Sequence, residues 1–208
     1  MDKKYLYHGS VVKDLIVLQP FSKSDNTIKK AVVYLTLNNS LALFYIWNRP
    51  YKWVTYEANE NEIVVYTEEF PNQLYEFYHG VSGYLYRCDI NNQTVVNTHI
   101  NDVFISEIPV PVLGYDVVED IYDDIIKREK MGLVQIKRYE TLTDEELKSN
   151  HTTTIRAIHM QKLLHMVSEQ SAFIKEKFPL EWEQALNDEK LNGGPIRYVY
   201  ENYCWTKK

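Results

Sequence analysis

A chain of 208 residues with 45% hydrophobic and 25% charged residues is long enough to bury a core and too apolar for a disordered segment. Its formal net charge is −6, and no dense Lys/Arg cluster interrupts it, which argues against binding nucleic acid by neutralising phosphates. No apolar stretch reaches membrane-spanning length, and the opening Met1-Asp2-Lys3-Lys4 carries no signal-peptide run, so the expectation is a cytoplasmic protein with no membrane partner.

In chain order, Tyr5-Leu6-Tyr7 reads as a strand, and 31–36 (AVVYLT) as a buried one. Asn39 or Ser40 is placed to cap a helix over 41–47, which Asn48 and Pro50 bring to an end. Residues 62–66 suggest a further strand, and Pro71 and Gly80 frame a short helix over 72–79. Strands are then expected over 83–88, 94–98, 102–106 and 110–113. After these the pattern becomes helical. Asp116 with Glu119 has capping-box spacing ahead of Val118, Ile121, Tyr122 and Ile125, and Thr143 with Glu146 repeats it. A long helix is predicted over 153–177, with Ala157, Met160, Leu164, Val167 and Ile174 on one stripe. Gly193-Gly194-Pro195 marks a turn before an aromatic end containing Tyr198, Tyr200, Tyr203 and Trp205, read as packing rings. The expected layout is an α+β domain over 1–115 and a helical extension over 116–208 packed on it, the latter a place for a protein partner.

Three segments carry chemistry. His8-Gly9-Ser10, with Leu18 and Pro20 downstream, sets an imidazole beside a stretch of backbone bare of side chain, which a ligand can approach closely. Val33-Tyr34-Leu35-Thr36 precedes a helix containing Tyr45. Asn101-Asp102 opens the strand Val103-Phe104-Ile105-Ser106-Glu107. Together they resemble the diphtheria-toxin-like, poly(ADP-ribose) polymerase-like branch of the ADP-ribosyltransferases, with its His–Tyr–Glu arrangement. That family has a His-Gly-Ser tripeptide, a strand Tyr followed eleven residues later by a second Tyr, and an Asn-Glu strand start. The resemblance covers residues 8–107, about half of the chain.

The resemblance implies an α+β fold of split antiparallel β-sheets with short helices, and NAD as substrate. His8, Gly9, Ser10, Tyr34 and Tyr45 would bind NAD: His8 on the adenine ribose, Gly9 backbone on the nicotinamide amide, and the two Tyr rings about the nicotinamide. Such stacking is worth about 0.5–1.5 kcal/mol per aromatic pair. The catalytic set would be His8, Tyr34 and an acid that stabilises the oxocarbenium-like charge as nicotinamide leaves. Asp102 stands where the family has its Glu. Glu107 is the second candidate, although strand parity sends 102 and 107 to opposite faces. Ala42 replaces a Ser that many relatives use on the nicotinamide amide. The implied activity is cleavage of NAD with transfer of ADP-ribose to an acceptor the sequence does not name. The alternatives are an inactive NAD- or ADP-ribose-binding module of the same fold, an RNA 2′-phosphotransferase-like enzyme, and an interaction scaffold.

The remaining titratable residues have plainer readings. His159 and His165, six apart, make a poor metal pair on a helix, and no metal-ligand set is expected. His79 and His99 read as turn or core residues, and Glu119, Asp120, Asp123 and Asp124 as a solvated helix face. Cys88 and Cys204 read as free thiols, with a disulfide between them as the alternative.

Overall fold

The computed structural model describes residues 5–21, 30–59, 61–89, 96–97, 103–201 and 204–207. The chain is a mixed α+β protein that divides into two compact units. The first gathers 1–48, 54–68 and 72–137; the second gathers 49–53, 69–71 and 138–208. Residues 116–137, expected in the helical extension beyond 115, group with the first unit. No helix among the described residues is long and apolar enough to cross a membrane.

The first unit is built on a seven-stranded antiparallel sheet. Its strands are β1 (Tyr5–Ser10), β2 (Val17–Leu18), β3 (Val33–Thr36), β6 (Gly83–Asp89), β7 (Val96–Asn97), β8 (Val103–Ser106) and β9 (Val110–Val118), in the order β2-β9-β6-β1-β3-β8-β7. A smaller sheet has β5 (Val64–Thr67) at its centre, antiparallel to β4 (Thr55–Ala58) and parallel to β10 (Val134–Lys137). Helices α1 (Asn39–Leu43), α2 (Gln73–Tyr78) and α3 (Ile121–Lys130) complete the unit. One face of the large sheet carries a core of Leu6, Leu18, Val33, Leu35, Cys88 and Val110. Cys88 is a free thiol there, and burial pushes its pKa up to about 12, which leaves it unreactive near neutral pH.

A second core is aromatic. Phe44 packs on Tyr66 at 5.5 Å, Tyr78 at 5.7 Å and Tyr56 at 5.3 Å between ring centroids, and Trp47 meets Phe77 and Tyr78 edge-on. Burial, followed by neighbouring phenols, raises the pKa of Tyr45, Tyr56 and Tyr78 above 10. A pKa raised on folding favours the native state only up to the unfolded value. The stability of this unit is therefore expected to hold below pH 10 and to fall as pH rises beyond it. Phenolate absorbance followed through an alkaline titration should show these three rings ionising together with unfolding. A gradual rise centred on pH 10, with all phenols titrating in the folded chain, would contradict this.

Several elements begin or end where the sequence pattern did not put them. Helix α1 starts earlier than expected, because Asn38 accepts the Ser40 and Leu41 amide N–H groups, and it stops at Leu43 rather than 47. The Asp116/Glu119 box does not form. Strand β9 continues through it because Val117 and Val118 pair with Tyr84 and Gly83, and α3 is capped instead by Asp120, which accepts from the Asp123 amide at 3.2 Å. The short strands β4 and β10 went unread.

The second unit contains α4 (Asp144–Met160), α5 (Glu169–Lys177), α6 (Pro179–Asn192) and a hairpin of β11 (Tyr198–Glu201) with β12 (Cys204–Lys207). The long helix expected over 153–177 is interrupted. Lys162 turns left-handed at φ 55°, a single 3-10 turn follows, and Ser168 caps α5 by accepting from the Ser171 amide. The interior is aromatic, with Tyr51 on Phe173 at 5.0 Å, Trp53 on Phe178 at 5.9 Å and Phe70 on both phenylalanines. The Thr143/Glu146 capping box forms in full, with Thr143 Oγ1 accepting from the Glu146 amide and Glu146 accepting from the Thr143 amide at 3.0 Å. Thr143→Ala should lower stability by about 1 kcal/mol in urea unfolding. An unchanged midpoint would show that this end of α4 frays without consequence.

Candidate functional site

Strand β1 is paired unequally on its two sides. It pairs β6 over six residues, Tyr5↔Asp89 to Ser10↔Tyr84, and pairs β3 at Tyr7↔Thr36 alone among the described residues. At the next position, His8 Nδ1 stands 2.9 Å from the Tyr34 carbonyl oxygen. A carbonyl only accepts, so Nδ1 carries the proton and Nε2 is left as an acceptor on the neutral ring. The imidazole thus spans the place where β1 and β3 part.

Antiparallel partners share a face of a sheet. His8 therefore lies on the Tyr86 side, with Leu6 and Cys88, while Gly9 lies on the Leu85 side. Alternation along β3 places Tyr34 on the face opposite Leu35. The imidazole and the Tyr34 phenol leave their strands on opposite faces and meet through the Tyr34 backbone. Tyr45, just past α1, lies near enough to Tyr34 for that phenol to add to the effect of burial in raising its pKa. Its ring also packs 6.3 Å from Tyr56. A raised pKa keeps the Tyr45 hydroxyl protonated and able to donate. Tyr34 and Tyr45 are thus near each other, and His8 is linked to them only through the Tyr34 backbone carbonyl.

Gly9 has a packing role. A Cβ there would collide with the Ala42 carbonyl oxygen and lie 2.9 Å from Ile46 Cγ1, so its bare backbone admits α1 and the turn after it. Ala42 is fully buried at this contact, and its carbonyl accepts from the Tyr45 amide at 3.1 Å. Ser10 ends β1, and its Oγ accepts from the Val12 amide at 3.1 Å.

The two candidate acids fare differently. Asn101 and Asp102 lie outside the described residues. Glu107 lies just beyond β8, half-exposed, where Lys30 donates to both its oxygens at 2.9 and 3.0 Å. That ion pair occupies the carboxylate at the sheet's surface.

No sequence motif marks the residues beside His8. Tyr86, opposite it on β6, donates to the Val12 carbonyl at 2.6 Å and accepts from the Leu15 amide at 3.3 Å. Tyr115 donates to Asp14 at 2.7 Å, and its ring stands 5.3–5.4 Å from those of Tyr84 and Tyr86. These bonds tie the segment after Ser10 down beside the imidazole. The alternation Tyr84-Leu85-Tyr86 was the available signal.

A separate cleft of about 470 Å³ lies on the other face, over Tyr5, Tyr7, Arg87 and Asp116 and the start of α3. Neither His8 nor Tyr34 lines it. Its arginines are engaged within the protein: Arg87 stands 3.4 Å from Asp116, and Arg128 bonds Asp124, Asn39 and Ser40.

Among the other histidines, His79 stacks on Tyr75 and stands 3.3 Å from Asp120, while His99 lies outside the described residues. His159 and His165, expected to make a poor metal pair, each meet Glu189, at 3.4 and 2.8 Å. The break after α4 makes this convergence reachable. Of the acids read as a solvated face, Asp120 caps α3 and bonds the Gly80 amide, and Asp124 holds Arg128. Tyr203 lies outside the described residues.

The fold thus defines a mixed α+β protein with an antiparallel sheet and several helices. Compared with known proteins, the chain matches no family model, no curated protein and no solved structure.

Proposed function

We propose that the first unit binds NAD at the divergence of β1 and β3 and cleaves it, releasing nicotinamide and transferring ADP-ribose to an acceptor. The observation that carries this reading is the His8 imidazole held 2.9 Å from the Tyr34 carbonyl where the two strands part, with Tyr45 beside Tyr34. The tautomer set by that carbonyl leaves Nε2 to accept a ribose hydroxyl proton. Tyr34 and Tyr45 supply flat rings for the nicotinamide. Asp102 is the acid assigned to the charge that develops on the ribose, and Tyr45 donates from its phenol. Nicotinamide release from labelled NAD, abolished by His8→Ala, is the expected result. No release under any condition, with cell lysate supplied as acceptor source, would overturn the catalytic claim.

The second reading, a module that binds NAD or ADP-ribose without turnover, is favoured by the engagement of Glu107 with Lys30. It predicts calorimetric binding without nicotinamide release and little change in affinity on Asp102→Asn.

A further inference from the structure

Strand β9 has an edge that the sheet leaves open. On one side it pairs β6, from Cys88↔Val112 to Gly83↔Val118. On the other side β2 covers Val110 and Pro111, and the Val112 amide donates to the Ile16 carbonyl at 3.0 Å. Past that point no strand among the described residues lies against 113–118. The backbone of an edge strand is a template for an added strand, and folds guard such edges with proline, bulges and charge. Here Pro111 and the register shift at Arg87/Cys88 sit at the β2 end. The register over 114–118 is regular, and this stretch contains no proline and one charge, Asp116. Its side chains stand open, with Leu113 51% and Val117 54% exposed.

The two faces of this edge differ. Tyr115 and Val117 share a face with Tyr86 and Tyr84, so an added strand would meet apolar surface there. Asp116 lies on the opposite face, over the cleft at the start of α3, where Glu119 and Asp123 are exposed. Asp116 matches Arg87 at 3.4 Å and Asp124 matches Arg128 at 3.0 Å. Among the lining residues that leaves Lys127 to set against Glu119, Asp120 and Asp123, so the surplus is negative. A second copy would bring the same surplus against itself, on a chain already at −6, which disfavours an edge-to-edge dimer. A strand with cationic side chains on the cleft face is complementary.

We propose that 113–118 is a docking edge for an extended peptide of alternating basic and apolar residues, added to the sheet as a strand beside β9. It uses none of the residues assigned to NAD. Titrating the ¹⁵N-labelled full chain with acetyl-Lys-Val-Lys-Val-Lys-Val-amide should give saturable shifts confined to 113–118 and the start of α3. Hydrogen exchange at alternate amides of 113–118, those on the open side, should slow about tenfold at saturation, as backbone pairing requires. The same peptide with Glu in place of Lys should leave these amides unmoved. Asp116→Lys should weaken the basic peptide about tenfold, because an attraction at an exposed rim becomes a repulsion. Glu119→Lys, which lies outside the strand and spares its pairing, should weaken it in the same sense. The proposal is overturned by no saturable shift, by an equal response to the glutamate peptide, or by shifts without slowed exchange. Undiminished affinity in both variants would overturn it too, as would edge shifts that grow with protein concentration in the absence of peptide, the mark of self-pairing.

Discussion

Gly9→Ala is expected to destabilise the protein by about 3 kcal/mol, the upper range for overpacking a tight core contact. The added Cβ would meet the Ala42 carbonyl and the Ile46 backbone nitrogen at 3.1 Å, besides Ile46 Cγ1, and backbone cannot swing aside as a flexible side chain can. Gly83, beneath the same Ile46, is restricted alike. Gly80 supplies the contrast. It sits at φ 73° with nothing within 4 Å of an added Cβ, so Gly80→Ala should cost only the left-handed penalty, about 1–2 kcal/mol. Urea unfolding of the three proteins ranks them directly. A Gly9→Ala chain within 1 kcal/mol of the parent on the scale of single-contact effects would show that α1 does not press on β1 as described. The same substitution should reach the proposed NAD site, since the displaced carbonyl bonds the Tyr45 amide.

His8→Ala carries the second large effect, and it divides into two parts. The Tyr34 carbonyl loses its 2.9 Å partner, which should lower stability by about 1 kcal/mol. The proposed ribose bond to Nε2 disappears as well, worth about 1–2 kcal/mol or roughly five- to thirtyfold in NAD affinity. Urea unfolding and calorimetric NAD titration measure the two parts separately. A stability loss with no change in affinity would reduce His8 to a strand fastener.

Local patterns were legible in the sequence because their causes are local. The Thr143/Glu146 box needs only three residues of spacing, and it forms. The strands carrying Tyr7, Tyr34, Val64 and Leu85 sit in the predicted runs. Errors arose where two local options competed or a distant partner decided. Asn38, Asn39 and Ser40 all suit a helix start, and only the carbonyl geometry of Asn38 selects it. Asp116 has good cap chemistry, yet the pairing of Val117 and Val118 with β6 keeps that stretch extended. Leu164 fitted a helical stripe, although Lys162 and Ser168 divide the helix around it. The recruitment of Tyr51, Trp53 and Phe70 into the second unit depends on Phe173 and Phe178, more than a hundred residues away in each of these contacts, and no periodicity announces it. At the candidate site, the identities of His8, Tyr34 and Tyr45 were readable. The packing duty of Gly9, the engagement of Glu107 by Lys30 and the anchoring role of Tyr86 were not, since each depends on a partner far along the chain.

The most direct test of the NAD reading is a crystal structure of the full chain soaked with NAD. The account predicts the nicotinamide ring against Tyr45 and Tyr34, an adenine-ribose hydroxyl on His8 Nε2, and Asp102 directed at the nicotinamide ribose. NAD bound instead in the cleft over Tyr5 and Arg87, with His8 untouched, would contradict it.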